Sequence, residues 1–139
     1  MLEHRRTFLK VLAAAPLLAC SSGSGDPQSF ADVPAGNVTA TSVGSLTVIP
    51  NAPAILGRDE GGLYAMTITC THEGCDVTPS GTGLVCPCHN SRFDANGAVL
   101  QGPAGSPLTH FAVSVDAMTG AITAHGGSTV AASVRTTVA

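Results

Sequence analysis

The sequence has no tryptophan, one tyrosine and four phenylalanines, and only 11% of its 139 residues are charged. It holds no basic cluster, and the net charge of −3 gives nucleic acid no electrostatic footing. With an apolar fraction of 44%, so little charge excludes disorder throughout. Past the first twenty residues no window sustains a helical period, which excludes a helical bundle. No internal repeat is present. What remains is a chain of one small domain with appendages, rich in turns, with sixteen glycines and nine prolines. Its compositional anomaly is five cysteines, an odd number.

The N-terminus accounts for the odd one. Arg5 and Arg6 precede Phe8-Leu9-Lys10, and a short apolar run, Val11 to Ala19, ends at Cys20. At about 1.5 Å per residue that run covers less than half of a ~30 Å hydrocarbon core, so it is no membrane span. The paired arginines resemble a twin-arginine export signal, and Leu17-Leu18-Ala19-Cys20 resembles a lipobox. The expectation is export by the twin-arginine route to the periplasm or the outer face of a membrane. Cys20 would be lipidated as the mature N-terminus, giving a lipid anchor; the alternative is an ordinary cleaved signal. A chain starting at Cys20 would carry Arg58, Arg92 and Arg135 against eight acids. That balance keeps it soluble.

Residues 1–20 thus form the signal, and 21–37 read as a flexible tether, being polar, Gly/Ser-rich and aperiodic from Ser21 to Gly36. Sixteen such residues have a root-mean-square reach of roughly 20–24 Å. A domain is expected over 38–126, and 127–139 as a tail or edge strand. Inside the domain, short strands alternate with turns. Ser45 to Ile49, Ala54 to Gly57, Leu63 to Thr69, Leu84-Val85, Ala98 to Leu100, Phe111 to Val115 and Ala121 to Ala124 are strand candidates. Asp59 to Gly62, Ser80 to Gly83 and Asp94 to Gly97 read as turns, the last with an Asn-Gly pair suited to a left-handed backbone. The fold class is all-β.

Four cysteines and two histidines crowd into CTHEGCDVTPSGTGLVCPCHNSRFD, residues 70–94. Cys70 and His72 lie two apart and Cys86 and His89 three apart, so each pair can aim at one centre. Three readings fit: two disulfides with idle histidines; a tetrahedral zinc held by two Cys and two His; or a 2Fe-2S cluster with two Cys on one iron and two His on the other. His110 and His125 lie outside both pairs and read as strand or surface residues. Met66 and Tyr64 read as core, and Met118 as a turn residue.

The two boxes, Cys70-Thr71-His72-Glu73-Gly74-Cys75 and Cys86-Pro87-Cys88-His89-Asn90-Ser91-Arg92-Phe93-Asp94, resemble the signature of Rieske iron–sulfur proteins. The similarity runs from about Ala54 to Gly120, with Gly102-Pro103-Ala104 and Pro107-Leu108 resembling the loop that covers the cluster in that family. The resemblance implies an antiparallel β sandwich with a small cluster-binding subdomain at about 68–106. It implies Cys70 and Cys86 on one iron of a single 2Fe-2S cluster, His72 and His89 on the other, and a Cys75–Cys88 disulfide. Two neutral imidazoles in place of thiolates ease reduction, to potentials of about −150 to +300 mV against about −400 mV for all-cysteine plant-type clusters. Ser91 stands where the family places a hydroxyl donor. Phe93 stands where high-potential members have tyrosine, so a potential toward the middle of that range is expected. Asn90 replaces the usual glycine and tolerates a left-handed backbone.

The resemblance implies an electron-transfer protein without a substrate site of its own, working with a redox partner such as a cytochrome or an oxidoreductase subunit. The alternatives are a Rieske subunit of a quinol-oxidising cytochrome bc complex or of an arsenite-oxidase-like molybdenum enzyme, or a structural zinc module.

Overall fold

The computed structural model describes residues 29–139. The export signal, Cys20 and most of the tether lie outside the described residues. Ten strands form two antiparallel sheets. The larger takes β1 (Val33–Asn37), β2 (Leu46–Val48), β3 (Ala54–Asp59), β4 (Gly62–Thr67), β9 (His110–Val115) and β10 (Ala121–Val130) in the order β1-β10-β9-β4-β3-β2. The smaller takes β5 (Thr78–Ser80), β6 (Gly83–Val85), β7 (Arg92–Phe93) and β8 (Val99–Gln101) in sequence order. This is the expected all-β class, and among the described residues no helix is long and apolar enough to cross a membrane.

β4 shows why two sheets form. Every one of its residues is buried, and strand geometry sends alternate side chains to opposite faces. Tyr64 and Met66 point into a core shared with Ile55 of β3, Val77, Leu84 of β6 and Phe93 of β7. Leu63 and Ala65 point into a second core with Leu56, Phe111, Ile122 and Ala124. The small sheet therefore packs on one face of the large one. Cys70, Cys86, Ala104 and Leu108 belong to the first core, so the cysteine-bearing loops are rooted in the apolar interior.

Two boundaries differ from the sequence reading. The tether does not run to 37: residues 33–37 are β1, paired with β10. Its alternating half-buried pattern is masked in the sequence by Pro34 and Gly36. Phe30 packs edge-to-face on Phe111 at 5.0 Å, and Asp32 Oδ2 lies 2.9 Å from His125 Nδ1. The other His125 nitrogen, Nε2, is 2.7 Å from Ser114 Oγ. Asp32 is 64% exposed, so this chain of groups is a surface tie pinning the entry to β1, not a water-excluded relay. The boundary at 126 falls inside β10, which runs to Val130 past a bulge between His125 and Thr129.

Residues 131–139 are fastened to the body. Leu63 and Thr136 exchange backbone hydrogen bonds, and Thr136 Oγ1 donates to Val113 O at 2.6 Å. Arg135 donates to Asp59 Oδ2 and to Asn96 Oδ1, each at 2.7 Å, and its guanidinium lies 4.1 Å over the Tyr64 ring. Burial works to raise the Asp59 carboxyl, but Arg135 and the Gly61 and Gly62 N–H groups outweigh it and hold it below its ordinary value. Tyr64 donates to Ala95 O at 2.6 Å, and His110, buried rather than on the surface, has Nε2 3.1 Å from Asn96 Oδ1. These contacts converge on residues 94–97, the turn joining β7 to β8, and tie the small sheet to the large one.

Candidate metal centre

The first cysteine loop leaves the end of β4, and the second joins β6 to β7. Both fold the same way. Cys70 N–H donates to Cys75 O at 2.8 Å and Gly74 N–H to Cys70 O at 3.0 Å. Cys86 N–H donates to Ser91 O at 2.8 Å and Asn90 N–H to Cys86 O at 2.9 Å. Each loop needs a left-handed residue at its fifth position, where φ is +77° at Gly74 and +60° at Asn90. Glycine takes that conformation freely, and asparagine is one of the few L-residues that takes it routinely. Asn90 therefore keeps the loop unchanged, as its sequence position suggested.

The two loops bring the predicted residues together. Cys70 and Cys86 are free thiols, each 2% exposed, and the Cys86 sulfur is near enough to raise the Cys70 thiol. The rings of His72 and His89 lie 5.0 Å apart at 89° and face solvent. Cys75 and Cys88 form a disulfide between the loops. Glu73 Oε2 lies 3.5 Å from His89 Nδ1, with both side chains exposed, a contact worth little. The sulfurs of Cys75, Cys86 and Cys88 also lie within 4.8 Å of one another, but with two of them bonded to each other they are no metal-binding triad.

Ser91 is fully buried. Its oxygen accepts the Ala104 N–H at 2.9 Å, and its hydroxyl favours charge on the Cys70 sulfur. Burial pushes the Cys70 thiol up and the Cys86 sulfur adds to the rise, while the His72 N–H and Ser91 hydroxyl oppose it. The covering loop that includes Gly102 and Pro103 is held over the site by Ala104 and by Thr71, whose hydroxyl donates to Ser106 O at 2.7 Å. Phe93, 1% exposed, brings only ring carbon to this core. The roles of Thr71 and Ser106 were not foreseen. They depend on a contact across 35 positions, and only the threonine inside the first box hints at it.

The donor set fits a 2Fe-2S cluster with mixed ligands. Two buried thiols stand near one another, two exposed imidazoles face solvent, and a buried hydroxyl favours charge on one sulfur. A structural zinc would use the same four side chains, but it gives no purpose to a covering loop held by Ser91 and Thr71.

Comparison with known proteins agrees. The family model described as Rieske [2Fe-2S] domain matches residues 28–112. The cytochrome b6-f complex iron-sulfur subunit of Synechococcus sp. (strain WH7803) is 41% identical over 70 residues, 48% of this chain and 39% of that protein. The corresponding subunit of Prochlorococcus marinus (strain MIT 9303) is 33% identical over 111 residues, 69% of this chain and 62% of that protein. The chain thus spans less than half the length of the first of these relatives and under two thirds of the second. Among solved structures, the cyanobacterial plasma membrane Rieske protein PetC3 from Synechocystis PCC 6803 matches with a TM-score of 0.51 and 28% identity, over 66% of this chain and 97% of that one. The matched family model covers more than half of the sequence, and the chain belongs to the Rieske [2Fe-2S] domain family, whose members bind a 2Fe-2S cluster.

Proposed function

We propose that this chain is an exported electron-transfer protein in which Cys70, Cys86, His72 and His89 hold the cluster. The observation that carries the reading is the sidedness of the site: its two thiols are buried and its two imidazoles face solvent. A bound 2Fe-2S cluster supplies a one-electron store whose potential depends on ligand type, hydrogen bonds to sulfur and exposure. The protein's own groups do the rest. His72 and His89 form the contact surface for a redox partner. The loop through Gly102, Pro103 and Ala104, pinned by Ser91 and Thr71, keeps water from the sulfur side. The Ser91 hydroxyl favours extra negative charge on Cys70, and Phe93 offers no second hydroxyl.

A second reading has a specific observation behind it. Its similarity to cytochrome b6-f iron-sulfur subunits supports a role as the Rieske subunit of a larger oxidoreductase. Co-purification with membrane-embedded partners separates the subunit from the free carrier.

Iron and acid-labile sulfide in equal amounts, with an EPR signal appearing on dithionite reduction, are expected of the purified chain. Zinc without iron in anaerobically prepared protein would overturn the reading. Export is tested by Arg5→Lys/Arg6→Lys, expected to leave the protein in the cytoplasm, and lipidation by Cys20→Ser, expected to release it from membranes.

A further inference from the structure

We propose that in the cluster-free chain Cys86 exchanges with the Cys75–Cys88 disulfide, and that holding Cys86 on the cluster is what preserves the native pairing. The inference rests on the ligand assignment above. Its basis is three sulfurs within 4.8 Å of one another, two of them joined and the third free. Thiol–disulfide exchange needs a thiolate against a disulfide sulfur and no external oxidant.

Two products are conceivable, and the geometry favours one. A Cys86–Cys88 bond would close a ring across the single residue Pro87. A Cys75–Cys86 bond links the two loops as the native one does, displaced by two residues along the second loop. Cys88 is also the exposed partner of the disulfide, so its sulfur departs into water. The step is therefore attack of the Cys86 sulfur on the Cys75 sulfur. The Cys75–Cys88 bond breaks, Cys75–Cys86 forms, and Cys88 leaves as a thiolate that takes up the proton Cys86 gave up. The number of disulfides and the oxidation state are unchanged.

What is lost is a ligand. The exchanged chain still has its loops cross-linked, but one of its two buried thiols is consumed and a free thiol stands at the surface. An empty site thus converts itself into one that cannot be filled. Cluster insertion must precede disulfide formation, or the chain must stay in a reducing environment until it is loaded.

The test uses the full chain, cluster-loaded and cluster-free, held in oxygen-free and thiol-free buffer, then unfolded in N-ethylmaleimide. Arg58 and Arg92 bracket the four cysteines of the two loops with no lysine or other arginine between them, so trypsin leaves those four on one peptide. Cleavage at Glu73 and Asp76, followed by fragmentation of the peptide with Cys86 and Cys88, locates each label. The loaded chain should carry label on Cys70 and Cys86. In the cluster-free chain label should leave Cys86 and appear on Cys88 in matching amount, with Cys70 unchanged. Label staying on Cys70 and Cys86 overturns the proposal. So does joint loss of label from those two, which would mean that they had oxidised to each other. Cys70→Ser, in which that oxidation is impossible, should still show the transfer to Cys88. Iron and sulfide measured on the same aliquots report the ligand assignment separately, since the cluster-free arm reads the exchange by itself.

Discussion

The two cysteine loops have one backbone and two ways of using it. Cys70–Cys75 and Cys86–Ser91 share the same pair of hydrogen bonds and the same left-handed fifth residue. Yet the histidine is the third residue of the first loop and the fourth of the second. The disulfide cysteine is the sixth residue of the first and the third of the second. The sixth residue of the second is Ser91, whose hydroxyl favours charge on the first loop's Cys70. A repeated turn therefore does not dictate a repeated site. The backbone supplies two similar frames, and the side-chain offsets make one frame end in a cross-link and the other in a hydrogen-bond donor. The loops also differ in footing, because the first grows from the large sheet and the second from the small one.

The strongest way to break this arrangement is to unlink the loops. Cys75→Ser/Cys88→Ser is expected to cost about 2–4 kcal/mol, read by denaturant unfolding of the loaded chain, with faster bleaching of the visible cluster absorbance. Retention of wild-type stability would mean that the loops are held by their roots alone. Next comes the shared left-handed position. Gly74→Ala should cost about 1–2 kcal/mol, because φ is +77° there and the nearest atom to an added Cβ is 3.9 Å away, so only the backbone objects. Asn90→Gly should stay within about 0.5 kcal/mol. Equal effects at both positions would deny that the loops share a frame.

The donor in the second loop gives a redox effect. Losing its hydrogen bond should remove about 1–1.5 kcal/mol of preference for the reduced state, so Ser91→Ala is expected to lower the potential by roughly 40–60 mV. Phe93→Tyr should move it upward. Both are read by EPR-monitored titration, and no change in Ser91→Ala would make that residue a structural filler.

The smallest effect concerns footing. Burial pushes the His110 imidazole below its ordinary value, the Leu108 carbonyl opposes this, Arg135 lowers it further and Asp94 raises it. A depressed folded value means that the unfolded chain binds more protons. This contribution to stability is therefore complete above about pH 6.5 and is lost as pH falls through the folded value. Below that window the turn at 94–97 should lose amide protection relative to residues 70–75, and His110→Gln should remove the difference. Uniform loss across both segments would argue against a separate anchor for the small sheet.

Most of the site was legible in the sequence because its chemistry is local. Cysteines and histidines two and three apart, a serine and an Asn-Gly pair each act within a few positions, and the turn residues located seven of the strands, with β10 running six residues further than expected. β1 was missed because Pro34 and Gly36 read as tether when nothing local shows β10 waiting beside it. The fastening of the tail was not foreseen for the same reason. Arg135 looks like a lone surface charge until the fold brings Asp59, Asn96 and Tyr64 around it from 76, 39 and 71 positions away. Pairings at that range are properties of the assembled sheets, not of any window.

Arg135 lies C-terminal to every residue that it fastens, which sets an order. During synthesis the two loops, the disulfide partners and both sheets' central strands emerge before the residue that anchors the β7–β8 turn. Contacts of β1 with β10 and of residues 59–64 with 135–136 form only once the later segment has been made, and such long-range closures are slow. A chain ending before Arg135 would keep every ligand and still lack this fastening. The residues that would hold the cluster and the residue that fastens the sheets around them are thus carried by separate parts of the chain.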